Sequence, residues 1–181
     1  MYHISNDIRA QESARRISEA LMDCAKHRPF SDITISSLKD EYGISRTTFY
    51  RLFDNTVDVL EYMVDRMSTE DLMKVEGNNL KKMTINTMYA LRNHRDLIQL
   101  LSKSGNIHML QQKQQKYLSL SKFASSLNLD DGAEYFYAIL TLLIPTTLEV
   151  WARNGMRETP EEVYRKLRSS LGVLGLWFSV N

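Results

Sequence analysis

Residues 34–53 read Thr34-Ile35-Ser36-Ser37-Leu38-Lys39-Asp40-Glu41-Tyr42-Gly43-Ile44-Ser45-Arg46-Thr47-Thr48-Phe49-Tyr50-Arg51-Leu52-Phe53, and this stretch decides the fold. Thr34 has the side chain of a helix N-cap, and Ile35, Leu38 and Tyr42 recur after it at helical spacing on one side. Gly43 follows, free of a Cβ and so able to take the positive φ that a tight reversal between two helices demands. Ser45 is a second N-cap. The short helix it opens turns Phe49, Leu52 and Phe53 inward, with Arg46, Thr47, Thr48, Tyr50 and Arg51 on the other face. Two short helices joined through a glycine turn and supported by a longer one form a helix-turn-helix, whose second helix can enter the DNA major groove. Arg46 can pair bidentately with guanine, and Thr47 and Thr48 can hydrogen-bond a base or touch a thymine methyl. Tyr50 and Arg51 sit where phosphate oxygens are in reach. The same spacing also fits an amphipathic helix with a solvated polar face in a protein that never meets DNA, so spacing alone leaves both readings open.

Working outward, apolar residues recur from Asn6 to Lys26 at Ile8, Ala14, Ile17, Leu21 and Cys24 or Ala25, one helical stripe that His27-Arg28-Pro29 brings to an end. Asp54-Asn55-Thr56 is a capping cluster that opens a fourth helix bearing Val57, Leu60, Met63, Val64 and Met67. The pattern loosens through Glu70–Asn79. Beyond it the spacing predicts helices over Leu80–Arg92 and Arg95–Ser102, then a glutamine-rich helix from Ile107 to about Leu127. A strongly apolar helix follows from Asp131 to Arg153, interrupted at Pro145. Thr159-Pro160-Glu161-Glu162 announces the last one, with a cap, a proline at the first helical position and the glutamate of a capping box. The expected fold class is all-α, about nine helices in total. A three-helix helix-turn-helix domain covers 1–55, a connecting helix 56–79, and a helical regulatory and dimerisation domain 80–181.

Composition narrows the functional classes. Of 181 residues, 43% are hydrophobic, enough for a real core, while only three prolines and seven glycines punctuate the chain. The formal net charge of +1 advertises no nucleic-acid partner, so any DNA contact must come from a local patch. Cys24, the single cysteine, excludes an intrachain disulfide. No secretory signal opens the sequence, and the apolar runs Ala138–Ile144 and Val173–Phe178 fall well short of the roughly 20 residues a spanning helix needs. The expectation is a soluble, cytoplasmic protein with no membrane partner. His3, His27, His94, His108 and Cys24 show no metal-ligand spacing, and no phosphate loop or nucleophile elbow is present. No metal, no cofactor and no catalytic residue is expected.

Residues 34–53 resemble the N-terminal signature of the TetR family of bacterial transcriptional regulators, at Thr34, Ile35, Leu38, Gly43, Ile44, Ser45, Thr48, Phe49, Tyr50 and Phe53. Leu91–Arg95 and Trp151–Glu162 are more loosely similar to segments of that family's regulatory domain. The resemblance implies double-stranded DNA as a partner, contacted through Thr34, Ser45, Arg46, Thr47, Thr48, Tyr50 and Arg51. It implies a homodimer formed by the last two helices, and the apolar stripes permit this: Tyr135, Ile139, Leu142 and Leu143 on one helix, Val163, Leu167, Leu171 and Leu174 on the other. It also implies a pocket for an unidentified small-molecule effector among the central helices. Met88, Tyr89, Met109, Tyr117, Phe123 and Trp151 could line that pocket, or could equally fill an ordinary core. There are departures. Thr56 stands where the family usually has a lysine that grips the DNA backbone, and Lys39 and Tyr42 occupy positions usually held by small residues. Loss of one cation weakens the salt-dependent part of DNA binding without removing base contacts. Two functions follow as expectations: a ligand-responsive regulator, read as a repressor on a palindromic operator, or a helical interaction protein that keeps the fold and binds little DNA.

Overall fold

The computed structural model describes residues 2–77, 79–110 and 133–179. Among them the named elements are all helical: α1 (Ile8–His27), α2 (Ile35–Tyr42), α3 (Arg46–Leu52), α4 (Thr56–Glu70), α5 (Leu80–Asn93), α6 (Arg95–Lys103), α7 (Ala133–Arg153) and α8 (Pro160–Ser179), with short 3-10 turns at Phe30–Asp32 and Leu72–Lys74. The all-α expectation is met. The glutamine-rich helix expected to run to about Leu127 falls mostly outside the described residues, as do Tyr117 and Phe123.

Local chemistry explains the helix ends. Asp7 caps α1 by accepting from the Arg9 amide, and the buried residues Ala10, Ala14, Ile17, Leu21 and Cys24 alternate spacings of four and three, which places them on one face. Arg28 ends the helix in an extended conformation, as the residue before a proline must. Asn55 caps α4 with its side-chain oxygen on the Val57 and Asp58 amides, and the buried Asp58 carboxylate accepts from the Asp54 amide on the far side of the turn. At α8 the capping box is complete: Thr159 Oγ1 accepts from the Glu162 amide, and a Glu162 oxygen accepts from the Thr159 amide at 2.8 Å.

α1 packs on α2, α3 and α4 around one end of the core, and touches α6 at the other. α6 packs on α7 and α5 on α8, which closes the C-terminal helical layer. One buried cluster runs through both halves, from Leu21, Leu38, Phe49 and Phe53 to Ile98, Leu148 and Trp151.

One expectation is corrected here. Pro145 does not interrupt its helix: α7 is continuous from Ala133 to Arg153, with Pro145 buried inside it. An interior proline forfeits a backbone hydrogen bond at a cost of about 3 kcal/mol. Burying Leu148 and Trp151, at about 2 kcal/mol or more each, offsets it. Continuity also makes α7 long and apolar enough, by length and composition, to cross a membrane. Between Glu134 and Arg153 at its ends, however, the exposed positions among the described side chains are Tyr135, Ala138, Ile139, Leu142, Thr146 and Val150, most of which share one face at helical spacing. The opposite face, with Leu148, Trp151 and Ala152, is buried in the chain's own core.

Candidate nucleic-acid interface

Thr34 opens α2 with a reciprocal capping box, its hydroxyl accepting from the Ser37 amide at 3.1 Å while Ser37 Oγ accepts from the Thr34 amide at 3.1 Å. Gly43 ends α2 at φ 66°, ψ 23°, left-handed geometry that few side chains tolerate. Its amide donates to the Lys39 carbonyl, and the Ile44 amide reaches back to Leu38. From α1, Arg16 Nη2 donates to the Tyr42 carbonyl at 3.1 Å, closing the turn from outside.

Ser45 then caps α3, its oxygen accepting from the Thr48 amide at 3.0 Å and meeting Thr48 Oγ1 at 2.8 Å. Phe49, Leu52 and Phe53 are buried and hold the inner face. Phe53 lies 5.8 Å from Phe49 and 5.8 Å from Tyr62 of α4, and Tyr62 in turn meets Tyr2 edge-on at 5.6 Å. The N-terminal strap adds to this clamp. Tyr2 bridges to Phe53, the His3 amide donates to the Leu52 carbonyl, and the Tyr2 hydroxyl donates to Asp65 of α4. Partial burial, then the Asp65 carboxylate, push the Tyr2 phenol well above its usual value, so it stays a protonated donor.

With the inner face fixed, the outer face is determined. Arg46, Thr47, Tyr50 and Arg51 are exposed, Tyr50 to 56%. They form one surface because i, i+3 and i+4 neighbours share a helix face. Thr34 and Ser45 are also exposed, but their side-chain oxygens are engaged as caps. Thr48 is half-buried with its hydroxyl on Ser45, so it braces the helix start. The structure therefore brings Arg46, Thr47, Tyr50 and Arg51 together as the presented set. Thr34, Ser45 and Thr48 support it.

Several contributors escaped the sequence reading. Tyr42, a departure from the usual small residue, sends its hydroxyl to Asp23 of α1 at 2.7 Å. That hydrogen bond, followed by Lys26, holds the Asp23 carboxyl below its usual value. Arg28 pairs with Glu41 at 2.7 Å, which with the Arg16 and Asp23 contacts of Tyr42 ties α2 to α1 and its C-cap at three points. Ser36 receives a hydrogen bond from Arg46 Nη2 at 2.9 Å across the two helices. Nothing in the residue spacing marks these partners, since each joins positions ten or more apart. At α4, Thr56 is the first helical residue and half-buried, so the place of the usual lysine carries no positive charge.

Of the expected pocket residues that the structure describes, three belong to the common buried core and Tyr89 lies outside it. Met88, Met109 and Trp151 are buried, and Trp151 Nε1 donates to the Glu158 carbonyl at 3.2 Å. Tyr89 is exposed, and its hydroxyl lies 3.0 Å from both Glu161 carboxylate oxygens. An open cleft of about 930 Å³ lies elsewhere, between α1, α4 and the start of α6, lined by residues such as Arg16, Met22, Met67 and His94. Of the expected dimer residues, Tyr135, Ile139, Leu142, Leu171 and Leu174 are exposed, and Leu143 is half-buried. Val163 is buried in its own chain and Leu167 packs against that core, because α8 turns these positions toward α5. Among the described residues no cluster of histidine, cysteine or carboxylate side chains could hold a metal.

No protein-family profile matches the sequence, and no curated protein matches it. Solved structures do. A protein from Syntrophomonas wolfei str. Goettingen, assigned to the TetR-family transcriptional regulators, is similar with a TM-score of 0.65 at 14% identity, over 92% of this chain and 96% of that one. The dihydroxyacetone kinase operon activator DhaS is similar with a TM-score of 0.62 at 14% identity, over 90% of this chain and 95% of that one. At such identity the likeness establishes the fold, which is TetR-like.

Proposed function

We propose that this chain is a transcriptional regulator that binds a palindromic DNA operator as a homodimer and is controlled by a small-molecule effector. The observation that carries the reading is the orientation of α3: Phe49, Leu52 and Phe53 are buried, leaving Arg46, Thr47 and Tyr50 outward where a duplex can reach them. The fold shared with the two regulators supports it. Two copies joined through the exposed faces of α7 and α8 present two such helices, and half-sites about one helical turn apart or more would then be read together. The exposed apolar stripe of Tyr135, Ile139, Leu142, Leu171 and Leu174 supports such a pairing, since it leaves apolar area uncovered in one chain. A repressor releases its operator when the effector binds the DNA-free form more tightly. Its working place is the compartment that holds the DNA, the bacterial cytoplasm.

The test is an electrophoretic mobility shift on sites recovered by selection from a random oligonucleotide pool. A palindromic consensus and loss of the sequence-specific shift on Arg46→Ala are the expected results. One good bidentate base contact is worth about 1–3 kcal/mol, roughly 5- to 150-fold in discrimination. Recovery of no consensus sinks the reading. It would favour the second one, a helical interaction protein with little DNA binding, which the uncharged Thr56 and the near-neutral net charge motivate.

A further inference from the structure

We propose that Ser36 is a positioning residue for base readout: it holds the Arg46 guanidinium in the orientation that reads a base, and so sets specificity without touching the base. The inference rests on the DNA-reading function proposed above. Its ground is a cross-helix contact that no capping or packing role requires. Arg46 is the first residue of α3 and Ser36 lies in the first turn of α2, ten positions earlier, yet Arg46 Nη2 donates to Ser36 Oγ at 2.9 Å. The neighbouring hydroxyls have local duties. Thr34 and Ser37 close the capping box of α2, and Ser45 and Thr48 close the start of α3. Ser36 is half-buried and stands apart from both caps.

The chemistry of arginine makes this contact consequential. A guanidinium carries five N–H donors in a planar fork. Giving one Nη2 proton to Ser36 leaves the other Nη2 proton, both on Nη1 and the one on Nε, enough for a bidentate contact to guanine O6 and N7. An exposed arginine otherwise samples many rotamers, and ordering it on binding opposes affinity. A side chain tethered before DNA arrives loses less. The tether also fixes the plane of the fork relative to α2, and α2 and α3 are themselves held rigidly by the Gly43 turn and the α1 contacts. Register between Arg46 and one base pair thereby follows from a hydroxyl on the neighbouring helix.

The experiment compares wild type, Ser36→Ala, Ser36→Thr, Arg46→Ala and the Ser36→Ala/Arg46→Ala double variant. Each is passed through oligonucleotide selection and then titrated on the wild-type consensus and on variants of each base pair, with far-UV circular dichroism to confirm folding. Ser36→Ala is expected to lower affinity for the consensus about three- to tenfold, the range of a single net hydrogen bond. It should relax preference at the base pair that Arg46→Ala also relaxes, and at no other. Ser36→Thr, which keeps the hydroxyl, should restore both. In the Arg46→Ala background, removing Ser36 should have no further effect. A uniform loss on all sequences that persists in that background would make Ser36 a direct phosphate contact and overturn the proposal. A gain of affinity on Ser36→Ala would show that Ser36 withholds Arg46 from DNA, and overturns it equally. Unchanged specificity in Ser36→Ala, with a clear wild-type consensus, defeats this inference alone. Absence of any wild-type consensus defeats the regulator reading, and this inference with it.

Discussion

Gly43→Ala isolates the conformational cost of the turn that aims α3. At φ 66° the backbone is in the left-handed region, where an L-residue with a Cβ is disfavoured by about 1–2 kcal/mol. Steric crowding adds nothing, for an alanine Cβ built at this position would lie 3.8 Å from Arg16 Nη2, an ordinary contact. Alanine also restricts the unfolded chain, which returns about 0.4–1 kcal/mol and leaves a net loss near 1 kcal/mol. For a chain of this length such a loss lowers Tm by about 2–4 °C. Asparagine tolerates left-handed backbone better, so Gly43→Asn should recover part of the deficit. The assay is urea and thermal unfolding followed by circular dichroism at one fixed protein concentration, because an associating protein's stability depends on it. The order expected is glycine, then asparagine, then alanine. Gly43→Ala as stable as wild type, or asparagine worse than alanine, would mean that the turn is not left-handed, and the orientation of α3 derived from it would fail.

Three other perturbations test separate parts of the structure. Ser45→Ala removes the oxygen that receives the Thr48 amide and should cost about 1 kcal/mol in urea unfolding; no loss would show that α3 starts without that cap. Leu142→Glu places a charge in the exposed stripe of α7, so helicity should persist while analytical ultracentrifugation reports loss of the proposed dimer; a dimer unaffected by the charge would move the interface elsewhere. Tyr42→Phe removes the hydroxyl that lowers the Asp23 carboxyl. A carboxyl depressed in the folded state contributes stability above its unfolded pKa, and the contribution disappears as pH falls through the folded value. Wild type should therefore lose urea resistance on acidification, through and below the usual carboxylate range, more steeply than Tyr42→Phe, and parallel curves would contradict the linkage.

What the sequence made legible was whatever is written locally. Thr34, Gly43, Ser45 and Thr159 act through atoms three or four residues away, and each is legible in sequence because caps and turns depend on near neighbours. The inward set Phe49, Leu52 and Phe53 followed from helical period alone. Contacts between elements were not legible. Tyr42 looked like a departure from the usual small residue until its hydroxyl was seen on Asp23, 19 positions away. Ser36 had no feature separating it from Ser37 until Arg46 chose one of them. The local rule for proline marks a break at Pro145, and tertiary packing outweighs it. Val163 and Leu171 share one apolar stripe in sequence, and only the placement of α5 against α8 separates the buried one from the exposed one.

The same distinction indicates how an effector signal would reach DNA. The first turn of α4 is capped by Asn55 and Asp58, and its Tyr62 meets Phe53, the residue that ends α3, edge-on, so a displacement of α4 is felt at α3. Just past its other end, Asp71 Oδ2 lies 2.7 Å from His94 Nε2, at the elbow between α5 and α6. α6 packs on α7, the helix whose exposed face is proposed to meet the second subunit, and α6 also touches α1. Hence α4 runs from the elbow to the base of α3 and is in contact near both ends. The Asp71–His94 contact gives a shift of α6 a direct connection to the end of α4. Under the proposed effector control of DNA binding, Asp71→Ala should leave the affinity for each ligand near wild type while reducing the factor by which one changes the other. Equal coupling in Asp71→Ala and wild type, measured by titrating DNA with and without saturating effector, would exclude the α4 route.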